Sequence, residues 1–279
     1  MRIDLHTHST ASDGTTSPGD VVREAARVGL DVVALTDHDT TAGWAEAARA
    51  AREVGIGLVR GTEVTCRGEG TTVHLLSYLQ DPTVPGLADR LERSRGARVT
   101  RARRMTELLA RDYELTWADV LAHTPGGATV GRPHLADALV TLGAARDRTD
   151  AFERILYSGG PYSVPYDVPT PHEGVALVLA AGGVPVLAHP AAGRRGAILS
   201  DEQIASLARA GLVGLEVDHR DHDEGERTRL LGLARDLDLL VTGSSDYHGA
   251  GKPNRLGEHT THADALESIL ERGREPLVS

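Results

Sequence analysis

The sequence predicts an α/β fold, a seven-stranded (β/α) barrel interrupted by a helical insertion. Three observations predict it. Seven short apolar runs are spread over the 279 residues. Segments with helical periodicity stand between most of them, which is the order of a parallel sheet. That alternation breaks once, over 81–168, where only helical patterns are found. The length suits one large domain with an insertion and is enough to bury a sizeable core.

Taken in order, the first strand is expected at 2–5 and the first helix at 17–28. Ser17-Pro18 ahead of Val21-Val22 is an N-cap followed by proline in the first turn. A strand at 31–35, a helix at 41–54 and strands at 57–60 and 73–78 follow. The insertion begins with an arginine-rich stretch, Arg90 to Arg111, in which Met105, Leu108 and Leu109 recur at helical spacing. Further helices are expected at 116–122, 132–142 and 149–157, and Gly159-Gly160-Pro161 returns the chain to the barrel. The remainder reads as helix 171–182, strand 184–188, helix 201–210, strand 212–217, helix 224–236, strand 239–243 and helix 262–272. Residues 1–80 and 169–279 would thus form the barrel and 81–168 the insertion.

Composition narrows the function classes. Aromatic residues make up 3% of the chain, so Leu, Val and Ala must fill the core. A formal charge of −10 argues against duplex nucleic acid as a partner, because such binding rests on phosphate neutralisation. A small phosphorylated substrate stays open, since bound cations would reverse the local field. Cys66 is the single cysteine, which excludes an intrachain disulfide and fits a cytoplasmic setting. The opening MRIDLHTHS has no basic stretch followed by an apolar one, and no apolar run approaches the ~20 residues that cross a bilayer.

The chemistry is carried by histidines and carboxylates at the ends of the apolar runs. His6 and His8 stand at i and i+2, which share one face of an extended chain, so two imidazoles can close on one ion. Asp246 and His248 repeat that spacing near the other end of the sequence. Glu63 and His74 fall near the third and fourth runs. In a parallel barrel the strand C-termini meet on one face, where such residues converge. One histidine beside a strand is ordinarily a hydrogen-bonded core or surface residue; several in paired spacing point to a multinuclear metal centre, and so to hydrolysis.

The motifs His6-Thr7-His8-Ser9 with Asp13, Thr36-Asp37-His38-Asp39, Gly61-Thr62-Glu63, His74, Arg132-Pro133-His134, Ala188-His189-Pro190 and Ser244-Ser245-Asp246-Tyr247-His248 resemble those of the PHP (polymerase and histidinol phosphatase) family. The branch most similar holds nucleoside 3′,5′-bisphosphate phosphatases and 5′→3′ exoribonucleases. The resemblance implies a distorted barrel and three divalent ions. His6, His8, Glu63 and Asp246 would hold the first. Glu63 would bridge to the second, completed by His74 and His134. Asp13, His38 and His248 would hold the third. Manganese is the first expectation, with zinc or iron possible.

The resemblance implies attack on phosphorus by metal-activated water. Arg132 would bind phosphate oxygens through its planar fork, the alternative being a structural salt bridge. His189 would protonate the leaving oxygen or bind phosphate, or else serve as a supporting hydrogen-bond partner. Asp37 and Asp39 would orient His38. Arg194 and Arg195 could grip a second phosphate or belong to a solvated loop, and His222 faces the expected substrate side. His123, His172, His219, His259 and His262 are expected at the surface. The leading expectation is hydrolysis of the 3′-phosphate of a nucleoside bisphosphate. The alternatives are trimming of short RNA and hydrolysis of histidinol phosphate, for which Asp221, Asp223 and Glu224 could receive the amine. A binding module without activity and a hydrolase built on Cys66 are weaker readings.

Overall fold

The computed structural model describes residues 1–68, 71–124, 126, 128–193 and 198–279. Its strands are β1 (Ile3–Asp4), β2 (Val32–Leu35), β3 (Gly57–Gly68), β4 (Thr71–Tyr78), β5 (Val184–Leu187), β6 (Gly214–Asp218) and β7 (Leu240–Gly243), side by side in chain order. Past β1 and β7 the edges meet: Thr7 bridges Tyr247 in parallel and the Thr261 amide donates to the Ile3 carbonyl. The result is a nearly closed seven-stranded α/β barrel.

Not all of it is parallel. β4 runs antiparallel to both β3 and β5, whereas the other neighbours are parallel. The expectation of a parallel sheet throughout is therefore corrected. β3 does not stop at 60 but runs to Gly68, and β4 begins at Thr71; so short a connection permits only antiparallel pairing.

Helices α1 (Pro18–Arg27), α2 (Trp44–Val54), α7 (Pro171–Ala180), α8 (Asp201–Arg209), α9 (Glu224–Asp236) and α10 (Ala263–Arg272) flank the barrel. Their ends follow from local chemistry. The Ser17 hydroxyl accepts from the Asp20 amide with proline in the first turn of α1, and Thr170 with Glu173 forms a capping box on α7. α2 stops where Gly55 takes a left-handed conformation, φ 73°. Between β4 and β5 lie α3 (Pro85–Leu109), α4 (Trp117–Ala122), α5 (Arg132–Thr141) and α6 (Arg148–Arg154). They bury an apolar cluster of their own, including Met105, Leu109, Val120, Leu135, Leu139 and Ile155. A separate cluster draws Ile3, Val32, Val59, Leu76 and Val186 from five strands. Among the described residues no helix is long and apolar enough to cross a membrane.

This frame sets the site. His6 and His8 follow β1, His38 follows β2, His189 follows β5, His219 follows β6, and Asp246 and His248 follow β7. Glu63 and His74 lie within the antiparallel pair, on β3 and β4.

Candidate metal centre

Glu63 stands at the middle of the cluster. It is 1% exposed. Its Oε2 lies 3.3 Å from His6 Nε2, 3.0 Å from His8 Nε2 and 3.1 Å from His38 Nδ1. Its Oε1 lies 2.8 Å from His74 Nδ1 and 3.2 Å from His189 Nε2. Asp246 Oδ1 lies 3.5 Å from both His6 Nε2 and His8 Nε2. On the other side Asp13 sits 3.3 Å from His248 Nε2, 3.6 Å from His8 Nδ1 and 3.7 Å from His38 Nε2.

Four ligand groups result, each with its donor atoms within 4.8 Å of one another: His6, His8 and Asp246; His38, Glu63 and His74; His6, Glu63 and His189; and His8, Asp13, His38 and His248. The donor set fits divalent cations. His6 Nε2 and His8 Nε2 face each other at 3.0 Å. His38 Nδ1, His74 Nδ1 and His248 Nε2 are buried with no well-angled hydrogen bond. Nitrogen and carboxylate lone pairs brought this close out of water are costly unless a cation lies between them. Imidazole with carboxylate suits zinc, iron or manganese.

The electrostatics follow from the crowding. Burial pushes the Glu63 carboxyl up, but the surrounding His38, His74 and His6 rings hold it well below the usual range. Asp13 behaves alike, burial opposed and outweighed by His38 and His248. Burial disfavours a charged His6, yet Glu216, Glu63 and Asp246 raise it well above an ordinary imidazole. Burial prevails at His38, which drops well below its usual value, and at His248, pushed down to about 4.

Several of the expected residues have other partners. His134 shares none of these groups among the described residues. Its Nδ1 instead accepts the Gly131 amide at 3.0 Å, which caps the start of α5. His189 takes a place beside Glu63 and His6. Among the described residues Asp37 and Asp39 make no hydrogen bond to His38. Asp37 accepts from the Ser9 amide and the Ser9 and Ser12 hydroxyls, which pins the loop that carries Asp13. Asp39 accepts from Thr65 and from the Arg98 guanidinium.

The His222 ring has both nitrogens on backbone groups: Nδ1 donates to the Val217 carbonyl and Nε2 accepts from the Ala191 amide. It braces the β5 and β6 ends and lines the cleft beside the cluster. Arg194 and Arg195 lie outside the described residues. Arg132 stacks over Phe152, its Cζ 5.5 Å from the ring centre, and has no carboxylate partner among the described residues. Burial lowers its pKa.

Two functional neighbours escaped the sequence reading. Glu216 is fully buried, receives the His189 amide and the Ser244 hydroxyl, and lies 3.0 Å from His6 Nδ1. Its signal was an acid inside the apolar run Leu215-Glu216-Val217. His219 is not at the surface but fully buried, with Nε2 3.6 Å from Asp246 Oδ2. It holds the same strand-end position as the expected ligands. His172 and His262 are exposed and His123 and His259 half-buried.

A cleft of ≈ 1070 Å³ opens beside the cluster. It is lined by Arg98, Arg101, Arg132, Phe152 and Tyr166 from the segment between β4 and β5, and by His189, His248 and Lys252 from the barrel. Arg101 packs over Tyr166 at 4.5 Å, and burial lowers its pKa to about 10.

Comparison with known proteins agrees with this geometry. A PHP domain model matches residues 4–119. The chain is 34% identical to a 3′,5′-nucleoside bisphosphate phosphatase of Chromobacterium violaceum, over 92% of this chain and 91% of that one. It is 32% identical to a 5′-3′ exoribonuclease of Haemophilus influenzae, over 97% and 98%. A solved structure from Bifidobacterium adolescentis, described as a metal-dependent phosphoesterase, superposes with a TM-score of 0.95 at 45% identity, covering 98% of this chain and 96% of the other.

Proposed function

Because this chain belongs to the PHP family of metal-dependent phosphoesterases, we propose that it hydrolyses the 3′-phosphate of nucleoside 3′,5′-bisphosphates. The observation that carries this reading is the cleft wall beside the ligand cluster. Arg101 and Arg132 stand there over aromatic rings, without a carboxylate partner among the described residues. Guanidinium groups so held suit phosphate oxygens, and the Tyr166 and Phe152 rings suit a nucleobase. The C. violaceum relative, named for that activity, supports the same substrate.

One cation would be held by His6, His8, Glu63 and Asp246, a second by Glu63, His74 and His189, and a third by Asp13, His38 and His248, so that each imidazole serves a single ion. His134 enters the second set only if its ring turns away from the Gly131 amide. Manganese is the first expectation, zinc or iron the next. Bound cations would bring water toward a pKa of ~7 and neutralise charge on the phosphoryl group. Glu216 holds His6 in place through Nδ1, so that Nε2 faces Glu63 and Asp246. Arg132 binds non-bridging phosphoryl oxygens and orients the ester. A cytoplasmic setting fits the lone, buried Cys66.

A second reading, cleavage of short RNA from its 5′ end, draws on the cleft's size. Its ≈ 1070 Å³ is at the top of the ~300–1,000 Å³ usual for small ligands. One screen separates the readings: product formation with Mn²⁺ from adenosine 3′,5′-bisphosphate, 5′-AMP, histidinol phosphate and a 5′-phosphorylated trinucleotide. Preferential release of the 3′-phosphate from the first is expected. Faster stepwise mononucleotide release from the trinucleotide would replace the phosphatase reading with the exonuclease.

A further inference from the structure

Of the 30 lysine and arginine residues in the chain, Lys252 alone is a lysine. It stands on the cleft wall, four residues past His248, with its ammonium 2.9 Å from Asp246 Oδ2 and its side chain 29% exposed. We propose that Lys252 binds the substrate's phosphate: it rests on Asp246 and offers its remaining N–H groups to a phosphoryl oxygen in the cleft. The inference rests on the chain being a phosphoesterase, not on which ester it takes.

The two oxygens of Asp246 are sorted. Oδ1 faces His6 and His8, and Oδ2 faces Lys252. Oδ2 has a second neighbour in His219 Nε2 at 3.6 Å. The Asp221 amide donates to His219 Nδ1, so the ring proton sits on Nε2 and points toward Asp246. Asp246 therefore keeps an N–H group 3.6 Å away on this side when Lys252 turns away. A carboxylate that ligates cations through Oδ1 also leaves less charge on Oδ2 to retain the ammonium.

The backbone that carries Lys252 is fixed while its side chain is partly exposed. Gly249–Gly251 form a single 3-10 turn that begins with Gly249 at φ 65°. The Ala250 amide donates to Thr15 Oγ1 at 2.7 Å, and the Asn254 side chain donates to the Ser245 carbonyl at 2.7 Å. The chemistry also explains the choice of residue. Arginine would meet Asp246 with a two-pronged fork and take both oxygens, whereas an ammonium is a compact charge with three rotatable donors and needs only one.

The test titrates inorganic phosphate into wild-type and Lys252→Met protein loaded with Mn²⁺, the load verified by metal analysis, and separately titrates Mn²⁺ into the metal-free forms. Loss of one charge-assisted contact predicts about tenfold weaker phosphate binding in Lys252→Met, with Mn²⁺ affinity unchanged or higher because a neighbouring positive charge is gone. Lys252→Arg is expected to lose Mn²⁺ affinity through its grip on both Asp246 oxygens. Unchanged phosphate binding in Lys252→Met overturns the proposal. So does a fall in Mn²⁺ affinity in that variant matching the fall for phosphate, since Lys252 would then only support Asp246. If the wild-type protein itself ignores phosphate, the reading of the whole site fails with it.

Discussion

Five imidazoles approach one buried carboxylate, Glu63, at 2.8 to 3.3 Å. Beside them, burial sets the charge state of His248, and the consequence is measurable without substrate. His248 has its pKa near 4 in the folded chain, against ~6.5 when exposed. Between those values the unfolded chain binds more protons than the native one, so stability rises with pH there and is lost as pH falls from ~6.5 toward 4. For the metal-free protein, His248→Gln should flatten the dependence of unfolding free energy on pH in that window, by up to ~1.4 kcal/mol per pH unit. Urea unfolding at pH 4.5, 5.5 and 6.5 measures it; identical slopes in the two proteins would contradict the assignment. At this scale the sequence displayed most of the site. Paired spacing exposed His6, His8, Asp246 and His248, because spacing along an extended chain translates directly into direction. It did not expose His219 or Glu216, whose partners come from other strands. His134 was named on the family resemblance alone, and in the turn that starts α5 its Nδ1 accepts the Gly131 amide.

Among the elements, the antiparallel β3–β4 pair and the long helix α3 do most to shape the cleft. β3 carries Glu63 inward, and α3 lays Arg98 against Asp39 just beyond β2. Asp39 is fully buried and Arg98 nearly so, at 3.0 Å. Removing one partner of such a pair leaves an uncompensated charge. Arg98→Met should cost ~3–5 kcal/mol, read by chemical denaturation, and Asp39→Asn added to it should return part of that loss. A single-variant cost under ~1 kcal/mol would mean that the pair does not tie α3 to the barrel. The strand pattern was readable to within a few residues except in β3. Its polar stretch, Gly61 to Thr65, resembles an exit into solvent, yet Thr62, Glu63 and Thr65 are buried because they face the site or bind Gln80 and Asp39. Hydrophobic patterning ends a strand where polar side chains begin, and it fails where the polar side chains point inward.

For the whole molecule, closure of the barrel lets the two ends of the chain share one site. Thr7 pairs with Tyr247, the His8 amide donates to the Tyr247 carbonyl, and His8 and Asp246 lie 3.5 Å apart. The convergence of strand ends on one face was predictable from the alternation of strands and helices. The break in parallel order at β4 was not, because it depends on a connection too short for a helix. The account's central claim is that this shared pocket works by holding cations. The most direct measurement is phosphate release from adenosine 3′,5′-bisphosphate before chelation, after exhaustive chelation, and after Mn²⁺ is restored, with metal content determined at each stage. Turnover should fall to background with the metal and return with it. Undiminished turnover in protein verified to be free of metal would contradict the account.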